Sequence, residues 1–190
     1  MVRPERDRLN GWVEVDETLV GGLEEGVAGR QTESKALVVI AAQADGPGIG
    51  RIRMRVIDDA SADSLHLFVK DCIEPGSTVH SDGWQGYAGL DNKGYQREIT
   101  LLRGRRKEAS KLMPRVHRVA SLLKRWLLGT HQGAVAPRHL PYYLDWWVGA
   151  HGILTQCDLI GRKVKLKSKI LQVGIRYADD VVTRNQVSYA

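Results

Sequence analysis

The run Ala36-Leu37-Val38-Val39-Ile40-Ala41 carries no polar side chain at either parity. As a strand it is apolar on both faces, which suits the buried centre of a sheet, and the predicted strand spans Lys35 to Ala42. Its neighbours supply the flanks. Trp12 to Val20 reads Trp-Val-Glu-Val-Asp-Glu-Thr-Leu-Val and ends at Gly21-Gly22, predicting a strand with an acid, Asp16, near its centre. Glu24 to Glu33 is polar and holds two glycines, as a loop would. Gly46-Pro47-Gly48 supplies a turn, and Ile49 to Ile57 alternates apolar residues with arginines, the pattern of a strand with one wet face.

Ser61 is placed as an N-cap for a helix over Ala62 to Cys72, with Leu65, Phe68, Val69 and Cys72 at helical spacing and Pro75-Gly76 beyond its end. Thr78 to Asp82 reads as a short strand ending on an aspartate. Gly83 to Tyr87 reads as a turn with a short helical piece, and Gln96 to Leu102 as a fifth strand. This order predicts an α/β fold with a mixed sheet flanked by helices: an antiparallel meander extended in parallel through a helix, as in the ribonuclease-H-like layout.

From Met113 to Leu128, Met113, Val116, Val119, Leu123, Trp126 and Leu127 form one helical stripe, while Lys111, Arg115, Arg118 and Arg125 gather on another side. Pro114 suits the first turn and Gly129 the end. His117 and Lys124, two turns apart, share a third line. A second amphipathic helix is expected from near Arg138 toward Trp147. Beyond Asp145 the periodicity disappears.

Charge divides the chain. Residues 1–100 hold 11 Lys/Arg against 17 Asp/Glu, and residues 101–190 hold 17 against 5, within an overall net charge of +6. A basic half suits a polyanion such as nucleic acid, and carboxylates in the other half can hold cations. No apolar run approaches a membrane span and no signal peptide is legible, so the expected location is the cytoplasm. Cys72 and Cys157 have no CxxC partner, which excludes a zinc ribbon within this stretch and predicts reduced thiols.

In the predicted layout the strands carrying Asp16 and Asp82 are neighbours. Paired carboxylates suit Mg²⁺ or Mn²⁺, hard ions that prefer oxygen and leave water positions open for substrate phosphate; two such ions can drive an in-line phosphoryl displacement. Taken singly, Asp16 reads rather as a bonded edge-strand acid and Asp82 as the start of an Asp-Gly turn.

Four motifs in order carry a resemblance over residues 12–145: Val13-Glu14-Val15-Asp16-Glu17-Thr18 with Gly21-Gly22; His80-Ser81-Asp82-Gly83-Trp84-Gln85-Gly86-Tyr87; His117-Arg118-Val119 through Leu127 with Gly129-Thr130-His131-Gln132-Gly133; and His139-Leu140 with Tyr143-Leu144-Asp145. Together they resemble the ISXO-like insertion-sequence transposases, DDE-type enzymes with a ribonuclease-H-like core. The resemblance implies metal-dependent DNA cleavage and strand transfer at element ends. It implies Asp16, Asp82 and His117 as ligands of two Mg²⁺ or Mn²⁺ ions, with Lys124, seven residues after His117, on the phosphate near the scissile bond. Arg103, Arg105, Arg106, Lys107, Lys111, Arg115, Arg118, Lys124 and Arg125 would then track DNA phosphates. DNA is the implied partner, a homodimer or larger assembly the implied active form, and the nucleoid its place when DNA-bound. Trp84 and Tyr87 could stack on an unpaired base or pack beside Gly83. Glu17 falls on the opposite strand face from Asp16, outside the metal site.

Two departures bear on this copy. The resembling family continues after Tyr-Leu-Asp with Glu-Phe and an Arg-Phe-Asn-Arg-Arg run, where this chain has Trp146-Trp147-Val148-Gly149; residues 146–190 are therefore read as an atypical, frameshifted tail. The zinc ribbon that such transposases carry ahead of the core has no counterpart here. The expected reading is a partial copy, with a catalytically dead DNA-binding remnant or another ribonuclease-H-like nuclease as alternatives. Translating the other frames of the locus across codon 145 should recover the Arg-Phe-Asn-Arg-Arg run; its absence from every frame would overturn the frameshift.

Overall fold

The computed structural model describes residues 7–21, 35–101, 108–131 and 135–158, with the backbone alone for 150–158. The elements are β1 (Trp12–Val20), β2 (Ala36–Asp45), β3 (Gly48–Ile57), α1 (Ala62–Cys72), β4 (Thr78–Asp82), β5 (Gln96–Thr100), α2 (Ala109–Leu112), α3 (Pro114–His131) and α4 (Leu140–Asp158). Single 3-10 turns cover Gln85–Tyr87, Asp91–Lys93 and Pro137–His139. The expected loop at Glu24–Glu33 lies outside the described residues.

The sheet order is β3-β2-β1-β4-β5. β1 pairs antiparallel with β2 and β2 with β3, whereas β1–β4 and β4–β5 are parallel. This is the ribonuclease-H-like layout read from the element order: hairpins give antiparallel neighbours, while the helical crossover through α1 returns the chain parallel to β1. The β2–β3 hairpin turns at Gly46, whose φ of 52° lies where a side chain would be strained.

The apolar run of β2 is covered on both faces. Val38, Ile40 and Ala42 join Val116, Val119, Leu123, Leu127, Leu140, Leu144 and Trp147 in one core beneath α3 and α4. Val39 and Ala41 join Val13, Val15, Leu65, Phe68, Val69 and Val79 in a second core beneath α1. Ser61 caps α1 as expected, its hydroxyl accepting from the Ser64 amide at 3.3 Å. Cys72 packs at the margin of the α1 core; the Cys157 side chain lies outside the described residues.

Three boundaries differ from expectation. β2 extends to Asp45, because the polar end of the strand pairs with β3 beyond the apolar run. β5 stops at Thr100, where pairing with Asp82 ends. α3 passes through Gly129 to His131. A helical glycine costs about 1 kcal/mol relative to alanine, and the His131 ring opposes that cost by packing on Trp126 at 5.5 Å and Tyr143 at 4.4 Å.

The composition change at Trp146 falls inside α4, which continues to Asp158. Trp147 is fully buried and Val148 nearly so, and the compact unit runs to Gln156; a second unit, Cys157–Ala190, lies outside the described residues apart from the end of α4. Among the described residues no helix is long and apolar enough to cross a membrane. Trp147→Ala should cost about 3–5 kcal/mol of stability, while Trp146→Ala, on the partly exposed ring stacked over Trp126, should cost no more than about 1.5 kcal/mol. Urea unfolding monitored by circular dichroism reads both.

Candidate active site

Glu14 and Asp16 project from β1 on the same face, two residues apart. Parallel pairing of β1 with β4 runs from Trp12 beside Thr78 to Glu14 beside His80; two residues past that pair come Asp16, mid-strand in β1, and Asp82, the last residue of β4. α3 lies across this face. Its first turn is fastened by Glu14, a fully buried carboxylate: Oε2 accepts from the backbone amides of Arg115 at 2.7 Å and Val116 at 2.9 Å, and Oε1 pairs with Arg115 Nη1 at 3.1 Å. A carboxylate here satisfies two of the amides that a helix start leaves open and complements the positive end of the helix dipole.

The pin fixes where His117 falls. Its Nε2 lies 3.7 Å from Asp16 Oδ2, with both side chains largely covered, and has no hydrogen-bond partner. Loss of hydration lowers the His117 pKa; the Glu14 and Asp82 carboxylates oppose the shift and Lys124 adds to it. The imidazole is therefore neutral near pH 7 and offers a lone pair. Lys124, two turns on, keeps its side chain open to water, yet enough protein crowds its ammonium for desolvation to lower its pKa, against the pull of Asp16. Asp16, His117 and Lys124 thus act on one another, and Asp82 is near enough for its charge to be felt at His117.

Among the described residues no group of three or more His, Cys, Asp or Glu side chains is placed to hold a metal ion. An oxygen-preferring divalent ion that keeps several waters needs only one or two carboxylates from the protein. In donor chemistry the Asp16 and Asp82 carboxylates suit such an ion, as does the lone pair of His117 Nε2, 3.7 Å from Asp16 Oδ2.

The expected phosphate-tracking cations separate. Arg103, Arg105, Arg106 and Lys107 lie outside the described residues. Lys111, Arg118 and Arg125 are exposed. Arg115 differs from expectation. Besides Glu14, its guanidinium donates to the carbonyls of Gly48 at 2.9 Å and Gly46 at 2.8 Å and lies 5.0 Å from the centre of the Trp12 ring. Its donors are committed to the fold because a fully buried carboxylate beside it requires a counter-charge.

Glu14 was not among the residues singled out from sequence. The available signal was its parity with Asp16 in Val-Glu-Val-Asp, which puts two acids on one face of a strand. His80 was also missed as a structural residue: it is buried, stacks on Trp12 at 4.7 Å, and its Nε2 bonds Thr100 Oγ1 at 2.7 Å. Glu17 does face away from Asp16, where its Oε1 accepts from the Tyr87 hydroxyl at 2.6 Å. That buried phenol is pushed well above its ordinary pKa by desolvation and by the Glu17 charge. Trp84 is 40% exposed, with its indole N–H on the Ala60 carbonyl at 2.8 Å.

A family model described as the ISXO2-like transposase domain matches residues 8–147. No curated protein matches the sequence. Among solved structures the chain is similar to the catalytic core domain of BIV integrase, at 14% identity, covering 72% of this chain and 80% of that one, with a TM-score of 0.45. The fold assignment rests on strand order and register, not on that likeness.

Arg115→Met should destabilise the protein by about 3 kcal/mol through the uncompensated Glu14 carboxylate, whereas Arg118→Gln should change stability by no more than about 0.5 kcal/mol; denaturant titration separates them. The pH dependence has a definite sign. His66, His80, His117 and His131 all have lowered pKa values, with desolvation the largest cause in each. Below the unfolded value of about 6.5 the unfolded chain binds more protons than the folded one, so stability is full above that pH and falls as pH drops toward the folded values. Tm should decrease from pH 7.5 to 5.5, and His80→Gln should make the decrease shallower.

Proposed function

Because the chain belongs to the ISXO2-like transposase domain family, we propose that it is the catalytic core of an insertion-sequence transposase, a DDE-type enzyme that cuts DNA at element ends and joins the freed 3′-hydroxyls to target DNA. The observation that carries this reading is the approach of His117 to Asp16 at 3.7 Å.

Asp16, Asp82 and His117 would hold Mg²⁺ or Mn²⁺, two ions in all; when bound these supply Lewis-acid stabilisation of the attacking and leaving oxygens. The protein's own part is placement. Glu14 fixes the start of α3, desolvation keeps His117 neutral, and Lys124 presents an ammonium to a phosphate oxygen two turns further along. Lys111, Arg118 and Arg125, together with Arg103, Arg105, Arg106 and Lys107, would neutralise backbone phosphates without reading sequence. Trp84, exposed beside Asp82, is available to stack on a base unpaired at the element end. Pairing of two DNA ends favours a homodimer, working in the cytoplasm on nucleoid DNA.

The test is Mg²⁺- or Mn²⁺-dependent nicking and strand transfer on DNA carrying the flanking element end. Wild type should yield strand-transfer products, and Asp82→Ala should lose more than the roughly 10–100-fold that removal of an outer metal partner costs. Nicking without strand transfer would favour a nuclease. Salt-sensitive DNA binding without metal-dependent cleavage would identify a folded but dead remnant.

A further inference from the structure

On the side of the sheet covered by α1, away from Asp16 and His117, the structure holds a cavity of about 510 Å³. It is bounded by α1, by the N-terminal segment that runs alongside Ile73, and by the residues leading into β4 and β5. Three cations, Arg8, Lys70 and Lys93, line it against a single carboxylate, Asp63. No ion pair joins any of these four to another among the described residues. The cavity therefore carries an uncompensated positive charge.

Lys93 is held in place. Its Nζ lies 2.7 Å from His66 Nδ1, and an ammonium can only donate, so Nδ1 accepts and the ring is neutral. Burial and the Lys93 charge both lower the His66 pKa, in keeping with that assignment. The bond uses one of three ammonium hydrogens and leaves two. Leu67, Pro75 and Tyr95 supply apolar wall; Tyr95 is nearly buried and its hydroxyl donates to the Ile73 carbonyl at 3.2 Å.

A site with surplus positive charge at one part and an apolar wall at another suits an anion attached to a flat or apolar body. The volume lies within the range of about 300–1,000 Å³ usual for small-molecule sites, more than inorganic phosphate would fill. We propose that this cavity binds a phosphate ester of nucleotide size, with the phosphate on Arg8, Lys70 and Lys93 and the base or sugar against Leu67, Pro75 and Tyr95. The phosphate can come from a free mononucleotide or from the 5′-phosphorylated end of a DNA strand. None of the catalytic residues proposed above takes part, so the site stands or falls independently of the transposase reading.

The full chain would be titrated with dAMP, with deoxyadenosine and with a 5′-phosphorylated oligonucleotide, following the His66 ring proton by NMR and affinity by calorimetry. Saturable one-to-one binding of dAMP that moves the His66 signal is expected, with no saturation by deoxyadenosine. Affinity should drop at least about tenfold in the Lys70→Gln/Lys93→Gln double variant, which removes two charge-assisted contacts. Displacement of dAMP by the oligonucleotide would identify a DNA end as the source; failure to displace it would identify a free nucleotide. The proposal is overturned if dAMP leaves the His66 signal unmoved in wild type, or binds the double variant as tightly as wild type. Arg8→Gln, at an exposed position, serves the same comparison if the double variant does not fold.

Discussion

The buried carboxylate of Glu14 is the fastening on which this architecture turns. It accepts two amides from the first turn of α3 and a guanidinium bond from the same turn, joining residues about a hundred positions apart in the chain. A fully desolvated carboxylate without these partners would be prohibitively costly, so the strand and helix either meet in this register or not at all. Once they meet, His117 lies two residues past Arg115 and must face Asp16; no adjustment of the helix about its axis can separate them without breaking the pin.

The sheet divides its work by parity. Val13 and Val15 pack under α1 with Val39 and Ala41, while Glu14 and Asp16 face α3. One side of β1 is therefore ordinary core and the other carries acids, and the same division recurs in β4, where Val79 packs with the α1 core and His80 and Asp82 take the opposite face. Parallel pairing between β1 and β4 puts equal steps on a level, so two aspartates sixty-six positions apart need only matching register to become neighbours. Their parallel direction comes from the crossover through α1, not from local sequence.

The cations are likewise divided by their surroundings. Arg115 is consumed by Glu14, two carbonyls and the Trp12 ring, whereas Arg118 and Arg125 on the same helix remain open to solvent. Helical spacing puts all three on one side, and only the neighbours decide which of them faces a buried acid. On the opposite face of the sheet, Lys70 and Lys93 line the cavity beside α1, apart from this group.

Much of this was legible along the chain. The unbroken apolar run of β2 required cover on both faces, and two helical layers provide it. Ser61, the Gly46 turn and the alternation in β3 set local structure through short-range hydrogen bonding, allowed φ values and strand pleat, so these elements form where the sequence placed them. The candidate site was legible through Asp16, Asp82, His117 and Lys124, because motif order and the two-turn spacing are properties of the sequence itself. The sequence could not show that Gly129 would stay helical, since the opposing contacts come from Tyr143 on another element. Nor could it show that the change of character at Trp146 would fall within a helix whose next residue fills the core. The roles of Glu14 and Arg115 were hidden for the same reason. Propensity, capping and periodicity act within a few residues and can be read along the chain, whereas the burial of a charge, and the partner it must then find, exist only after distant segments have packed.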